Sequence, residues 1–434
     1  MTSAAEDEVV DLCRDLIRID TTNFGDSSGP GERKAAEYVA EKLSEVGLEC
    51  RIVESEPGRA SVLSRVEGAD PSRPPLLIHG HLDVVPAEKD DWSVDPFSGE
   101  VKDGCLWGRG AVDMKDMDAM SLAVVRDYVR SGRKPARDLV LSFMADEEAG
   151  GGLGASWLVE NERDHFADCT EAISEVGGFS VTVAADRRLY PIQCAEKGMS
   201  WLKLTAHGTA GHGSYISPDN AVTRLAEAIA RIGNHEFPLR LTETVRAFLS
   251  EVAEALGIEL DLDNPEALVS KLGNLGRLVG ATLRNTANPT VLRAGYKHNV
   301  VPQTAEALVD GRFLPGYEEE FLAEIDALLG PDVQREIVHQ DVALEVPFTG
   351  TLVDQMSGAL VAEDPTGKPI PFLISGGTDA KSFSRLGIVG YGFSPLQLPS
   401  DVDFVGMFHG VDERVPVEAL KFGCRVLDRL LANC

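Results

Sequence analysis

LLIHGHLDVVP (76–86), LWGRGAVDMK (106–115) and LVLSFMADEE (139–148) form the stretch whose reading decides the fold. Each piece is an apolar segment of strand length that runs into His, Asp or Glu where a strand gives way to a loop. Open α/β sheets carry their chemistry at such strand ends. LVLSFM (139–144) is apolar without a break, as expected of a strand covered on both faces. Imidazole and carboxylate are the ligands that zinc-class cations take, and the stretch offers His81, Asp83, Asp113, Glu147 and Glu148 from three separate strand ends. Glu175 in AISEVGG and His409 in MFHGVDERV extend the set, enough for two metals sharing one carboxylate.

Outward from this centre, apolar spacing predicts helices over 4–18, 31–46 and 116–131 and strands over 49–54, 61–66 and 76–80. The alternation implies a mostly parallel sheet with helices on both faces. Near Ala195 the texture changes: EKGMSWLKLTAHG alternates like a strand with one open face, and the block 196–345 reads as an α+β insertion. From 347 the α/β pattern resumes, with helices over 352–362, 378–385 and 415–432 and strands at 371–375 and 388–393. The expectation is a catalytic domain made of 1–195 and 346–434, interrupted by an inserted domain at 196–345.

Composition excludes several roles. Across 434 residues, 70 acidic side chains outweigh 41 Lys and Arg, and a net charge of −29 repels nucleic acid and anionic membrane. No basic and apolar leader opens the chain and no run of 18 apolar residues occurs, so a cytoplasmic protein is expected. The seven cysteines are scattered, with no C-x-x-C pair, and imply reduced thiols. GDSSG (25–29) matches G-x-S-x-G, but a polar loop precedes it where a nucleophile elbow needs a buried strand. Gly150, Gly152 and Ala155 fit G-x-G-x-x-A, yet the carboxylates of Asp146, Glu147 and Glu148 just before them would oppose a pyrophosphate, so a tight turn is expected.

HGHLDVVP, GRGAVDMK, ADEE, the glutamate at 175, GTAGHGS (208–214), NVVPQTAEALVDGRFLPG (299–316), SGGTDAKSF (375–383) and FHGVDERV (408–415), in that order, resemble the M20 metallopeptidases. The resemblance implies that His81, Asp113 and Glu175 hold one zinc and that Asp113, Glu148 and His409 hold the other, with Asp113 bridging. Spacing alone leaves His79 and His81 equivalent, since both face one side of a strand; the family motif selects His81. It further implies that Asp83 accepts a hydrogen bond from the far nitrogen of His81 and fixes its tautomer. Glu147 is left as general base, and His212 as donor to the oxyanion, across a homodimer formed by the inserted domain. Arg312 would bind the substrate carboxylate with Asn299 assisting, the backbone of Gly377 and Thr378 would close the site, and Lys197 is a lesser candidate for the same pocket.

The implied activity is hydrolysis of an N-acyl amino acid or short peptide with a free carboxylate, using two Zn2+, with Co2+ or Mn2+ as alternatives. Succinyl-diaminopimelate desuccinylase and acetylornithine deacetylase are the biosynthetic alternatives, and a non-catalytic metal-binding relative is the alternative of another class. Presence of every ligand, the base and the donor histidine favours the enzyme. The added helices predicted within 234–290 favour the aminoacylase and carboxypeptidase members, and put the dimer face in question.

Overall fold

A computed structural model describes residues 4–26, 28–184, 187–272 and 275–434. Ser27, the nucleophile position of the GDSSG match, lies outside the described residues.

Ten strands among the described residues make the larger sheet. Its centre is parallel: Leu76–His81 lies between Leu139–Met144 and Glu171–Ser174, and Val389–Gly392 pairs with Glu171–Ser174. Antiparallel pairs sit outside that centre, as where Cys50–Glu56 meets Arg59–Val66, and where Arg187–Glu196 meets Leu344–Glu345. Every residue of Leu76–His81 and Leu139–Met144 is buried, which is why both read as unbroken apolar runs. Helices Ala4–Arg18, Lys115–Ser131 and Val417–Asn433 cover one face. On the other, Leu77, Val140 and Met144 pack against Leu158, Phe166 and Phe383. Gly80 is required between the two histidines, because a Cβ there would collide with Asp118 and Met114 at the start of helix Lys115–Ser131.

The second sheet is antiparallel, in the order Thr286–Ala294, Thr304–Phe313, Gly198–His207, Val333–Asp341. Leu202, Leu204, Ala307 and Val309 face helices Ala221–Gly233 and Glu318–Leu329. From the opposite face, Met199, Trp201 and Arg312 share a cleft with Glu147, Glu148 and His409 at the larger sheet. The chain passes from one sheet to the other between Glu196 and Gly198.

The added helices lie elsewhere than expected. Glu243–Leu256, Glu266–Val269 and Leu275–Gly280 fall within the inserted block, yet Val245, Phe248, Leu249 and Val252 pack on Ile370 and Phe372 of the larger sheet. Thr242 caps the first of these helices by accepting the Val245 amide. Lys197 fastens the end of the segment: its ammonium, fully buried, donates to the carbonyls of Ala281 and Arg284 at 2.8 Å each. That ammonium is committed to structure, which corrects its assignment to the substrate pocket.

Candidate metal centre and catalytic cleft

Three adjacent parallel strands deliver the acidic cluster. His81 ends Leu76–His81, Glu147 and Glu148 follow Leu139–Met144, and Glu175 follows Glu171–Ser174. His81 Nε2 lies 3.2 Å from Asp113 Oδ1 and 3.6 Å from Glu175 Oε2. His409 Nε2 lies 3.1 Å from both Asp113 Oδ2 and Glu148 Oε2. Ligand atoms of His81, Asp113 and Glu175, and those of Asp113, Glu148 and His409, each fall within 4.8 Å of one another. Asp113 belongs to both groups, one oxygen to each. Glu147 belongs to neither, its carboxylate 4.0 Å from His81.

The donor set suits divalent cations. Burial, with neighbouring carboxylates, pushes the Glu147 and Glu148 carboxyls up and takes Glu175 to about 7. Buried like charges that close need a cation or a proton. His409 is raised to about 10 by its hydrogen bonds to Asp113 and Glu148. Burial alone would lower His81, but Glu175 and Asp113 carry it well above its ordinary value. Glu148 Oε1 is buried with no hydrogen-bond partner, as a coordinating oxygen would be. Asp146, Val176 and His409, beside or within the ligand set, adopt left-handed backbone that non-glycine residues rarely take. Such conformations gather where surrounding structure over-determines a site.

Buried carboxylates lock the ligand-bearing turns. Asp83 accepts the amides of Glu147 and Glu148, both at 3.1 Å, and so sets how the two adjacent glutamates diverge. This corrects its expected role: His81 Nδ1 meets the main-chain oxygen of Asp83 at 3.0 Å, while the carboxylate is 3.6 Å away. Glu413 does the same for the Asp113 loop, accepting the amides of Gly110, Val112 and Asp113 and a guanidinium N–H of Arg109. Asn23 donates to Asp83 at 2.9 Å and to Asp146 at 3.1 Å, and Arg59 donates to Asn23 and to buried Glu32. The sequence reading missed Asn23, Arg59, Glu32 and Glu413; only Glu413 lay inside a quoted motif, FHGVDERV.

A cleft of about 230 Å³ joins Glu147, Glu148 and His409 on one wall to Met199, Trp201 and Arg312 on the other. Arg312 reaches it already paired, Nε and Nη2 lying 2.7 and 3.1 Å from the carboxylate of Asp310. Gly377 and Thr378 line it too, and the Thr378 amide and hydroxyl donate to Glu196, which holds that turn at the cleft wall. His212 and Asn299 are not brought to this cleft. They sit together on a short exposed ribbon, where His212 pairs with Val300 and the Gly213 amide donates to the Asn299 carbonyl.

Comparison with known proteins gives a consistent picture. The profile of peptidase family M20/M25/M40 matches residues 77–433. The N-fatty-acyl-amino acid synthase/hydrolase of Xenopus tropicalis is 28% identical, over 100% of this chain and 88% of the relative. Aminoacylase-1 of Dictyostelium discoideum is 31% identical over 75% of this chain and 73% of its own. Among solved structures, an M20 family metallo-carboxypeptidase from Sulfolobus solfataricus superposes with a TM-score of 0.74 at 18% identity, covering 98% of this chain and 99% of the other.

Proposed function

This chain belongs to peptidase family M20/M25/M40 and is an enzyme of that family, and from that premise we propose that it is a two-metal hydrolase acting on the amide bond of N-acyl amino acids. The observation that carries the reading is the pair of ligand triads sharing Asp113, with Glu147 left outside both. His81, Asp113 and Glu175 would hold one cation and Asp113, Glu148 and His409 the other, with Zn2+ the first candidate and Co2+ or Mn2+ the alternatives. Such ions lower the pKa of water from about 15.7 toward about 7 and polarise a carbonyl.

The protein's own groups do the rest. Glu147 takes a proton from the attacking water and hands it to the leaving nitrogen, so the C–N bond breaks without expelling an amide anion. A positioned carboxylate of this kind contributes roughly a hundred- to ten-thousandfold. Arg312 receives the free α-carboxylate on the guanidinium edge that Asp310 leaves open. His212, exposed on its ribbon, would donate to the oxyanion of a second protomer's substrate, with Asn299 beside it. Aminoacylase and N-fatty-acyl-amino acid hydrolase names among the relatives favour an acyl amino acid over the biosynthetic alternatives.

The test is a panel of N-acetyl, N-succinyl and dipeptide substrates with metal-reconstituted protein. Glu147→Ala should keep both metals by elemental analysis and lose about a hundredfold or more in kcat. Full activity in that variant removes the assignment of the base.

A further inference from the structure

The open face of the four-stranded sheet mixes charge with apolar area: Lys203 pairs with Glu306 on it, while Trp201 and Leu308 stand next to Asp310. Trp201, Leu308 and Val338 stand exposed there, Val338 at 58%, with no helix over them among the described residues. Two β-bulges shape this region. Val338 is the extra residue where Trp201 pairs with His339 and Leu202 with Ile337. Thr290 is the extra residue where Pro289 pairs with Val309 and Val291 with Leu308. A bulge bends its strand and re-aims a side chain. With one in each outer strand, the sheet forms a trough of about 280 Å³ whose walls include Trp201, Thr290, Leu308, Asp310 and Val338.

The trough adjoins the catalytic cleft, with Trp201 in the wall of both. Asp310 lines the trough and holds Arg312, which lines the cleft. Along strand Thr304–Phe313 the same face presents Arg312 in the cleft, then Asp310 and Leu308 in the trough, so the trough begins one side chain beyond the guanidinium.

An amino acid carries its carboxylate and its side chain on one carbon. If Arg312 holds the carboxylate, the side chain begins within one bond of that anchor and needs a place on the same wall. We propose that the trough is the side-chain pocket for the amino-acid half of the substrate, and that it selects large apolar side chains, aromatic ones above all, which can lie against the Trp201 ring. This rests on the hydrolase reading and adds to it the substrate class. The acyl group leaves from the other side of the scissile bond and is assigned no part of the trough.

The experiment compares wild type with Leu308→Glu and Val338→Glu, both exposed positions, on N-acetylglycine, N-acetyltryptophan and N-lauroylglycine. In each variant the ratio of kcat/KM for N-acetyltryptophan over N-acetylglycine is expected to fall about tenfold or more, the range in which apolar pockets discriminate. An unchanged ratio overturns the proposal. A loss confined to N-lauroylglycine also overturns it, by assigning the trough to the acyl chain. Calorimetry with indolepropionate and propionate supplies a readout that needs no turnover: wild type should prefer indolepropionate, and Leu308→Glu should lose about tenfold of that preference. If wild type hydrolyses none of the three substrates, the hydrolase reading fails, while the calorimetry still decides for or against the trough.

Discussion

On the side of the cleft built by the larger sheet, the turns that carry the candidate ligands are tied by buried carboxylates. Asp83 takes two amides at 147 and 148, and Glu413 takes three between Gly110 and Asp113. On the opposite wall the surface is an open sheet face, with exposed Trp201 and Leu308 and with Arg312 steered by one ion pair. One wall fixes reacting groups with hydrogen bonds that tolerate little displacement. The other offers area and, in Arg312, a cationic anchor. Rate should therefore be sensitive to the first wall and substrate choice to the second.

The sharpest way to break this division is Asp113→Ala. Asp113 supplies one oxygen to each triad, so both cations should be lost together by elemental analysis. The fall in kcat should exceed the roughly ten-thousandfold upper end expected from removing a general base. Retention of one full equivalent of metal would show that the triads are independent. On the other wall, Arg312→Leu should leave metal content intact and act on recognition. A hydrogen bond to a charged group contributes about 1.5–3 kcal/mol, so kcat/KM for carboxylate substrates should fall roughly 10- to 150-fold. N-acetyl amino acid amides, which lack the anion, should be far less affected.

The two walls also differ in how far they could be read beforehand. Histidines and acids near the ends of apolar strands were conspicuous as a group, but spacing left His79 and His81 equivalent and did not separate Glu148 from Glu147 or Asp83; the M20 resemblance made the choice of His81, Asp113, Glu148 and Glu175, while the parallel centre followed from the apolar runs. Asp83 was legible as a site residue but not in its role, since which group its carboxylate meets depends on how the 146–148 turn folds back, a tertiary matter. Asn23, Arg59 and Glu32 look like ordinary loop and strand residues; only burial reveals that they form one network. Helix Glu243–Leu256 showed an apolar stripe, but a stripe does not say which sheet it covers, and it covers the larger one. The trough was hidden because register shifts at Val338 and Thr290 leave no trace in the pattern.

Asn23→Ala probes the same wall with a smaller effect. It leaves Asp83 and Asp146 short of a donor while sparing all candidate ligands. Removing one donor from such buried carboxylates costs about 1–3 kcal/mol, measurable as a lowered urea midpoint. Because Asp83 orients Glu147 through backbone, kcat should fall several-fold while KM holds. A fall in stability alone, with kcat unchanged, would confine Asn23 to a structural part.

His79 gives the mildest test, one invisible at neutral pH. It is buried beside the Phe383 ring at 4.7 Å, with neither ring nitrogen hydrogen-bonded, and burial lowers its pKa to about 3. In the unfolded chain a histidine titrates near 6.5. Between those values the unfolded state binds a proton that the native state refuses, so this group's contribution is fully favourable above about 6.5 and declines as pH falls toward about 3. The decline approaches about 1.4 kcal/mol per pH unit, or roughly 2 kcal/mol by pH 5. His79→Phe keeps an apolar ring against Phe383 and removes the titration, so its stability relative to wild type should rise by about that amount between pH 7.5 and pH 5, with both proteins held in chelator. Parallel curves for the two proteins would mean that His79 takes up its proton in the native state at the same pH as in the unfolded chain, so that this wall accepts a buried imidazolium below about 6.5.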